Sequence, residues 1–211
     1  MCEAYESAAH CLFRTETTDL SDGTGNYVIR IYRGSEPIEI VYMLDSHGCK
    51  HAADEAVRIP ASITENQMRM IEENAVKAGK IIPGIVAFHI PTDDFFEAYA
   101  AKGYPYEIGT VIGVTVPADR GDFGAILEKD EKTAARPERF AERLLACGVN
   151  GVFAGHNHNI NTSVLYRGIR WTMGLKCGAY DYHINGAIGG TLIEFEKGIP
   201  KVRHIPMLAG Y

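Results

Sequence analysis

Two apolar segments that each end at a histidine constrain the fold of this chain more than any other feature of its sequence. Residues 85–88 form a continuous apolar run before His89, and residues 149–154 form a second, mostly apolar run before the tetrapeptide at 155–158. Runs of this length are typical of strands that are buried on both faces of a sheet. Both runs follow segments with helical patterns, so the sequence predicts helix and strand units of an α/β protein.

The second run ends in Gly155, His156, Asn157 and His158, which suit a ligand-binding turn. Glycine lets the backbone turn sharply, and two histidines at i and i+2 can then both face a cleft. Because the carboxyl ends of neighbouring parallel strands meet at one end of a sheet, we expect His89 to lie near both. Three neutral imidazoles suit zinc, iron or manganese. Solvated loop histidines, and a hydrogen-bonded core group at His89, are the alternative interpretations.

The composition limits the class of protein. Hydrophobic residues make up 46% and charged residues 23% of the 211 residues, which are ordinary values for a globular protein. A net charge of −6 argues against a nucleic-acid-binding surface. Five scattered cysteines without a C-x-x-C pair favour reduced thiols and a cytoplasmic location. We expect no membrane association, because no signal pattern and no apolar run of roughly 20 residues is visible.

The first third of the chain predicts a hairpin followed by a helix. Residues 27–32 and 38–44 are rich in β-branched and aromatic side chains and flank a turn with glycine and proline, which favours two antiparallel strands. Thr64 and Gln67 have the spacing of a capping box at the start of a helix. The helical pattern continues to Gly79, which is suited to end it.

Two further helices are expected between the histidine-bearing strands. Thr92 is suited to cap a helix that contains Phe95 and Phe96. Pro137 is suited to the first turn of another helix, which we expect to end at Gly148. After residue 160 the pattern predicts short strands joined as hairpins in a mixed or antiparallel sheet. These strands are residues 163–166, 169–173, 190–195 and 202–205.

Acidic residues near these turns are candidates for a cleft. Asp45 follows the second predicted strand, although aspartate is also common in turns with only a structural role. Glu107 and Asp122 lie in the glycine-rich segment 103–135, and long segments of this kind are often lids or binding loops. Solvated loop acids are the alternative interpretation. His47, two residues after Asp45, is expected to be solvated.

Three segments in order along the chain resemble a known family. Tyr-Met-Leu-Asp-Ser at 42–46, Phe-His-Ile-Pro at 88–91 and Gly-His-Asn-His-Asn at 155–159 resemble motifs of the calcineurin-like metallophosphoesterases, particularly the branch similar to purple acid phosphatases. The resemblance extends from about Gly25 onward, and Gly-His-x-His is its most specific motif. It implies a single metallophosphoesterase domain over residues 1–211, built as a β-sandwich of mixed sheets flanked by helices.

The resemblance also implies a metal centre and a class of substrate. Members of this family hold two metal ions that activate a hydroxide for attack on the phosphorus of a phosphoric monoester or diester. By resemblance, His89 and His156 would ligate one ion and His158 the other, with Mn, Fe or Zn as the metal. Asn157 and Asn159 within the last of these segments are expected at the cleft. Tyr180, at the end of a further matching segment at 174–180, is also expected there, although tyrosine in a hairpin turn is more often structural.

The family's amino-terminal motifs have no counterpart before residue 25. These motifs are an Asp-x-His, a Gly-Asp whose aspartate bridges the metals, and a Gly-Asn-His-Asp/Glu that supplies the histidine facing the leaving group. We therefore expect the chain to correspond to the carboxyl-terminal half of such an enzyme. Without a bridging carboxylate two dications repel each other, so a dinuclear centre is expected only where a complementing amino-terminal chain or a homo-oligomer supplies the missing half.

Three functions are open at this point. The first is a metal-dependent phosphoesterase that is incomplete and inactive alone. The second is a non-catalytic, degenerate domain that serves in packing or partner binding. The third is a mononuclear hydrolase in which three histidines surround one metal and water takes the fourth position.

Overall fold

The computed structural model describes residues 4–5, 7–13, 22–48, 61–77, 79–103, 114–116, 121–126, 133–178, 180–183, 188–196 and 198–207. The helices in these ranges are α1 (Glu65–Asn74), α2 (Asp93–Ala101) and α3 (Phe140–Ala146). The strands are β1 (Tyr27–Arg33), β2 (Glu36–Met43), β3 (Val76–Lys77), β4 (Lys80–Ile81), β5 (Gly84–Ala87), β6 (Val114–Val116), β7 (Gly124–Ile126), β8 (Val149–Ala154), β9 (Ser163–Tyr166), β10 (Ile169–Met173), β11 (Gly189–Glu196) and β12 (Ile199–Pro206). None of these three helices is long and apolar enough to cross a membrane.

Six strands form one mixed sheet in the order β1-β2-β5-β8-β10-β9. The four inner strands run parallel, while β1 and β9 pair antiparallel with their neighbours. The predicted mixed α/β class is therefore confirmed. The inner strands share a carboxyl end of the sheet, formed by residues 44–48, 88–90, 155–158 and 174–176. The opposite amino end is formed by residues 33–39, 79–83 and 148–150.

One face of the sheet packs against the helices. Tyr42, Val86, Val152 and Trp171 form a row across the four parallel strands, and each is at most 1% exposed. The ring of Phe95 in α2 meets Trp171 edge to face, with centroids 5.2 Å apart. Burial of such apolar area stabilises the fold by about 25 cal/mol per Å². Further side chains of this core are Met68, Ile71, Phe96, Tyr99, Phe140 and Leu144.

The β11–β12 hairpin packs on the other face of the sheet. Gly151 leaves room for this contact, because a Cβ there would lie 3.0 Å from Pro200 of β12 and 3.0 Å from Ile85 of β5. The side-chain amide of Asn150 donates to the carbonyl oxygen of Gly198 in the hairpin turn. These contacts fix the hairpin turn beside the start of β8.

The predicted capping box is confirmed, whereas the predicted end of its helix is wrong. Thr64 Oγ1 accepts from the N–H of Gln67 at 3.1 Å, and Gln67 Oε1 accepts from the N–H of Thr64 at 2.7 Å. The helix ends at Asn74, since the chain then enters the β3–β4 hairpin. Gly79 takes a φ of 77° in that hairpin and does not cap the helix.

The predicted start of the third helix is also wrong. Helix α3 begins at Phe140, because Arg139 adopts a left-handed φ of 53°. Before it, the guanidinium of Arg136 pairs with Asp94 and Glu97 of α2, which holds this segment away from a helical path. The strands predicted at 163–166 and 169–173 are confirmed to the residue. The other two form the hairpin β11–β12, which extends beyond the predicted bounds.

Candidate functional site

The carboxyl end of the sheet brings two of the predicted histidine loops together. The N–H of Gly155 donates to the carbonyl oxygen of His89 at 3.0 Å, and the N–H of Phe88 donates to the carbonyl oxygen of Phe153 at 3.0 Å. These bonds carry the β5–β8 ladder into the two loops. The loop after β5 therefore lies directly beside the loop after β8.

The imidazoles of His89 and His156 meet at this point. Their ring centroids are 5.3 Å apart and their planes are inclined by 86°. Gly155 makes this approach easier, because a Cβ at that position would lie 3.4 Å from Nδ1 of His89. A side chain at residue 155 would thus contact the imidazole of His89.

His156 has an unusual backbone conformation. Its φ is 72°, and the N–H of Asn157 donates to the carbonyl oxygen of Gly155 at 2.8 Å. A hydrogen bond from residue i+2 to residue i around a positive φ is the pattern of a rare, strained γ-turn. For a residue with a Cβ, such a conformation costs about 1–3 kcal/mol and is concentrated at functional sites.

The surroundings of His89 favour its neutral form. Partial desolvation by the protein lowers the pKa of His89, and the like charges of His156 and His158 lower it further. The residue nevertheless remains exposed to solvent. A neutral, accessible imidazole is the form that binds a metal ion.

His158 is oriented by the loop that contains Tyr182. Nδ1 of His158 lies 3.1 Å from the carbonyl oxygen of Tyr182 and 3.6 Å from Oδ2 of Asp181. A carbonyl oxygen can only accept, so Nδ1 carries the proton and Nε2 keeps its lone pair. Metal-binding histidines usually have their second nitrogen fixed in this way. The imidazole of His158 and the phenol ring of Tyr182 also pack together, with centroids 4.5 Å apart.

The donor chemistry of these histidines suits a first-row metal better than their arrangement does. Imidazole nitrogen is a good ligand for zinc, iron and manganese. Within the ranges that the structure describes, however, no group of three or more His, Cys, Asp or Glu side chains is placed to hold a metal ion. Within these ranges the imidazoles alone do not make up a set of ligands for a metal ion.

Asp45 also lies at the carboxyl end of the sheet, but its carboxylate bonds to the backbone. Oδ1 accepts from the N–H of His47 at 2.8 Å, and Oδ2 accepts from the N–H of Thr24 at 3.0 Å. Its carbonyl oxygen accepts from Nε2 of Gln67 at 2.7 Å. Asp45 thus has the structural turn role that the sequence left open.

A buried polar network fixes the Asp45 loop. Nε2 of Gln67 also lies 2.7 Å from Oδ1 of Asn26 and 3.1 Å from the carbonyl oxygen of Asp22, so its two N–H groups are shared among three acceptors. Oδ1 of Asn26 accepts in addition from the N–H of Asp45 at 2.8 Å. Gln67, Asn26 and Asp22 are at most 4% exposed. Buried polar groups cost about 1–3 kcal/mol when unpaired, so this network holds residues 44–48 in one conformation.

His47 is buried, so the expectation that it is solvated is wrong. It is 7% exposed and has a φ of 58°. Its Nδ1 lies 2.8 Å from the carbonyl oxygen of Ser62 and must therefore carry the proton. Nε2 has no hydrogen-bond partner in the described part of the chain. The signal for this residue in the sequence was its place just beyond the end of a predicted strand.

The remaining cleft candidates differ in position. Asn157 is 5% exposed and Asn159 is half-buried, so both belong to the turn itself. Tyr180 is 93% exposed, and its carbonyl oxygen accepts from Nζ of Lys176 at 2.7 Å. The ring of Tyr180 therefore stands in solvent. Glu107 lies outside the described residues.

Asp122 is neither a cleft acid nor a solvated one, and both expectations for it are wrong. Asp122 is a buried residue and is only 2% exposed. Oδ2 pairs with Nζ of Lys102 at 2.7 Å, and Oδ1 accepts from the N–H of Leu165 at 2.8 Å. The guanidinium of Arg170 lies 3.5 Å from Oδ1. These contacts make Asp122 a structural ion-pair centre between the β7 segment and β9.

Comparison with known proteins leaves the chain without an assigned family. A scan against protein-family models and a search of the curated proteins each found no match. Any function must therefore be argued from the residues at the carboxyl end of the sheet.

Proposed function

We propose that the carboxyl end of the sheet forms part of the metal site of a phosphoesterase of the calcineurin-like class. The observation that carries this proposal is the contact between His89 and His156, whose ring centroids lie 5.3 Å apart at the ends of adjacent parallel strands. The resemblance of residues 88–91 and 155–159 to the family's motifs supports it. A mixed sheet with helices on one face and a hairpin on the other is compatible with part of that family's sandwich.

Each histidine would contribute one imidazole nitrogen to Mn, Fe or Zn. The lowered pKa of His89 keeps its ring neutral near pH 7. The hydrogen bond from Nδ1 of His158 to the carbonyl oxygen of Tyr182 leaves Nε2 as the nitrogen that can bind a metal ion. The strained turn at His156 aims its ring at His89. When bound, a divalent ion would supply Lewis-acid activation of a phosphoric monoester or diester.

The proposed site needs ligands beyond these histidines. Two metal ions at close range need carboxylates between them to offset their repulsion. Asp45 does not fill this role in the described conformation, because backbone N–H groups bond to both of its carboxylate oxygens. The carboxylates would therefore come from outside the described residues, from a complementing segment or chain or from a second copy.

A non-catalytic domain is the second candidate. The engagement of Asp45 favours it, as does the lack of a three-residue ligand group within the described ranges. In that case the histidines would only shape their loops, and the purified chain would retain little metal.

Metal analysis of the purified chain is the first experiment. The wild type and the variants His89→Ala, His156→Ala and His158→Ala would be loaded with Mn²⁺, Zn²⁺ or Fe²⁺ and measured by elemental analysis and titration. We expect each variant to bind at least about ten-fold more weakly, a loss of about 1.4 kcal/mol. His10→Ala, which removes an exposed histidine, is the matched control and is expected to bind like the wild type.

Hydrolysis of p-nitrophenyl phosphate and of its bis ester is the second experiment. Metal binding without hydrolysis would support a site that needs complementation. Hydrolysis that His156→Ala abolishes would support a site that is complete in this chain, and one metal per chain would then favour the mononuclear form. Equal metal content in the wild type and all three variants would contradict the proposal and favour the non-catalytic domain.

A further inference from the structure

A cavity lies at the amino end of the sheet, away from the histidine loops. It has a volume of about 820 Å³ and is bounded by the β1–β2 turn, the β3–β4 hairpin and the β11–β12 turn. This volume is in the range of small-molecule sites. Glu39, which lines the cavity, and Asp45 are six residues apart along β2 and its extension, or about 20 Å at the rise of a strand. The cavity is therefore remote from the histidines.

Glu39 is a buried acid at this cavity without a described partner. The residue is 4% exposed, and its Oε2 has no hydrogen-bond partner within the described ranges. Desolvation raises the pKa of this carboxyl to about 7. Burial of an unpaired carboxyl is unfavourable, so a ligand group that hydrogen-bonds to it would gain affinity. The hairpin turn packs closely here, since a Cβ on Gly198 would lie 2.9 Å from Pro83, which also lines the cavity.

Two lysines give the same cavity a positive rim. Lys77 and Lys80 are paired directly across the β3–β4 hairpin, and both are exposed. Like charges placed opposite each other destabilise a hairpin, and neither lysine forms an ion pair with a carboxylate of the described residues. Nζ of Lys77 lies 5.2 Å from the ring centroid of Tyr32, which holds it in place. An anionic ligand group would relieve the repulsion between the two ammonium groups.

Part of the cavity wall is apolar. Ile31 and Ile81 line it and are 37% and 56% exposed, which is high for isoleucine. Ile82 and Phe195 line it as well. Exposed apolar side chains beside polar and charged groups in one cavity are typical of a ligand site.

We propose that this cavity binds a small ligand of the nucleoside phosphate class. The flat faces of a nucleobase fit against the isoleucine and phenylalanine side chains, and its edge carries N–H groups that can donate to Glu39. The phosphate then lies at Lys77 and Lys80. Such a ligand pairs with both Glu39 and the two lysines of this cavity, which Arg33 and Glu36 line as well. A simple anion would leave Glu39 unpaired, and a simple cation would be repelled by the lysines and Arg33.

This cavity is independent of the proposed phosphoesterase centre. The binding test therefore uses a protein in which that centre is disabled. Binding of AMP, adenosine and inorganic phosphate would be titrated by calorimetry to the His156→Ala protein in the presence of a metal chelator. We expect AMP to bind more tightly than adenosine, and adenosine more tightly than phosphate.

Two variants and a control locate the ligand. We expect Glu39→Leu and Lys80→Glu each to weaken AMP binding by at least about ten-fold, and only Glu39→Leu to weaken adenosine binding. Arg69→Glu reverses an exposed charge on α1 outside the cavity and is expected to change affinity less than about two-fold. Glu39→Leu removes an unpaired buried group, so it is expected to fold at least as stably as the parent, which circular dichroism would check.

Three results would overturn the proposal. They are no binding of AMP, equal AMP affinity in the parent and both cavity variants, and phosphate binding as tight as that of AMP. The last result would reduce the cavity to a plain anion site. Loss of AMP binding in Arg69→Glu to the same extent as in Lys80→Glu would likewise count against it, because the effect would then be one of net charge.

Discussion

The carboxylate of Asp45 at the carboxyl end of the sheet is fully engaged in hydrogen bonds, whereas Oε2 of the buried Glu39 at the amino end has no partner within the described residues. The Asp45 loop is held by Gln67 and Asn26, with each hydrogen bond at 2.8 Å or less. Glu39 lies on the same strand β2, about 20 Å away, with no such support for its Oε2. Paired groups fix the shape of a loop, while an unpaired buried acid is a cost to the fold that a hydrogen-bonding ligand would offset under the proposal above.

The largest effect is expected at the paired end. Gln67→Leu would leave the acceptors on Asp45 and Asn26 without their buried donor, so we expect a loss of about 3 kcal/mol in the free energy of unfolding. Urea unfolding would measure it. Asn66→Ala removes a bond from an exposed residue to Asp22 and should cost less than about 1 kcal/mol. If both variants lose the same amount, the network does not have the assigned role.

The next effect is a pH dependence at the unpaired end. The pKa of Glu39 is about 7 in the folded protein, against 4.5 ordinarily. The folded state binds this proton more tightly than the unfolded chain, so the wild-type stability falls as the pH rises from about 4.5 to about 7. Glu39→Gln removes that titration. We expect it to equal the wild type near pH 4.5 and to be more stable by about 3 kcal/mol at pH 8.

Urea unfolding of both proteins at these two pH values would check this prediction. Because all other titrating groups are shared, the difference between the two proteins isolates Glu39. An equal gain at both pH values would show that the acid is not titrating in this window.

A smaller effect is expected from relaxing the turn at His156. His156→Gly removes the Cβ from a residue with a φ of 72°, so we expect a gain of about 1 kcal/mol in the free energy of unfolding. The same variant loses an imidazole and should bind Mn²⁺ at least about ten-fold more weakly. His156→Ala is the matched control, since it loses the ring but keeps the strain. Equal stability of the two variants would mean that the backbone is not strained.

The smallest effect is expected at Gly155. A Cβ 3.4 Å from Nδ1 of His89 would be in van der Waals contact with that ring and would restrict its rotation without disturbing the core. We expect Gly155→Ala to leave the unfolding midpoint unchanged and to weaken metal binding a few-fold, by about 1 kcal/mol. Gly178→Ala, at an exposed position with open space, would serve as the control in the same titration. A fall in stability without a change in metal affinity would contradict this assignment.

The sequence was most informative where one local pattern decided the structure. The apolar runs before His89 and His156 predicted two buried strands. These strands, β5 and β8, pair in parallel, as expected for two strands that each follow a helix. The capping box at Thr64 was equally readable, since its two hydrogen bonds involve residues three apart. A pattern of this kind depends only on neighbouring residues, so it can be recognised without knowledge of the rest of the fold.

Prediction failed where contacts between distant residues decided the outcome. Pro137 suited a helix start, but the pairing of Arg136 with Asp94, 42 residues away, shifted that start to Phe140. The buried state of His47 depends on the carbonyl oxygen of Ser62, 15 residues further on. The cavity at Glu39 could not be anticipated, because it is assembled from three turns that are distant in the sequence.

The hydrogen bond from the N–H of Gly155 to the carbonyl oxygen of His89 has a consequence for the entropy of ligand binding. It ties the loops that carry His89 and His156 to the backbone ladder of the sheet. Fixing one residue of a free loop costs about 1–2 kcal/mol of conformational entropy. Here that ordering takes place during folding, so an ion or substrate that reaches these two imidazoles meets a backbone that has already lost its freedom.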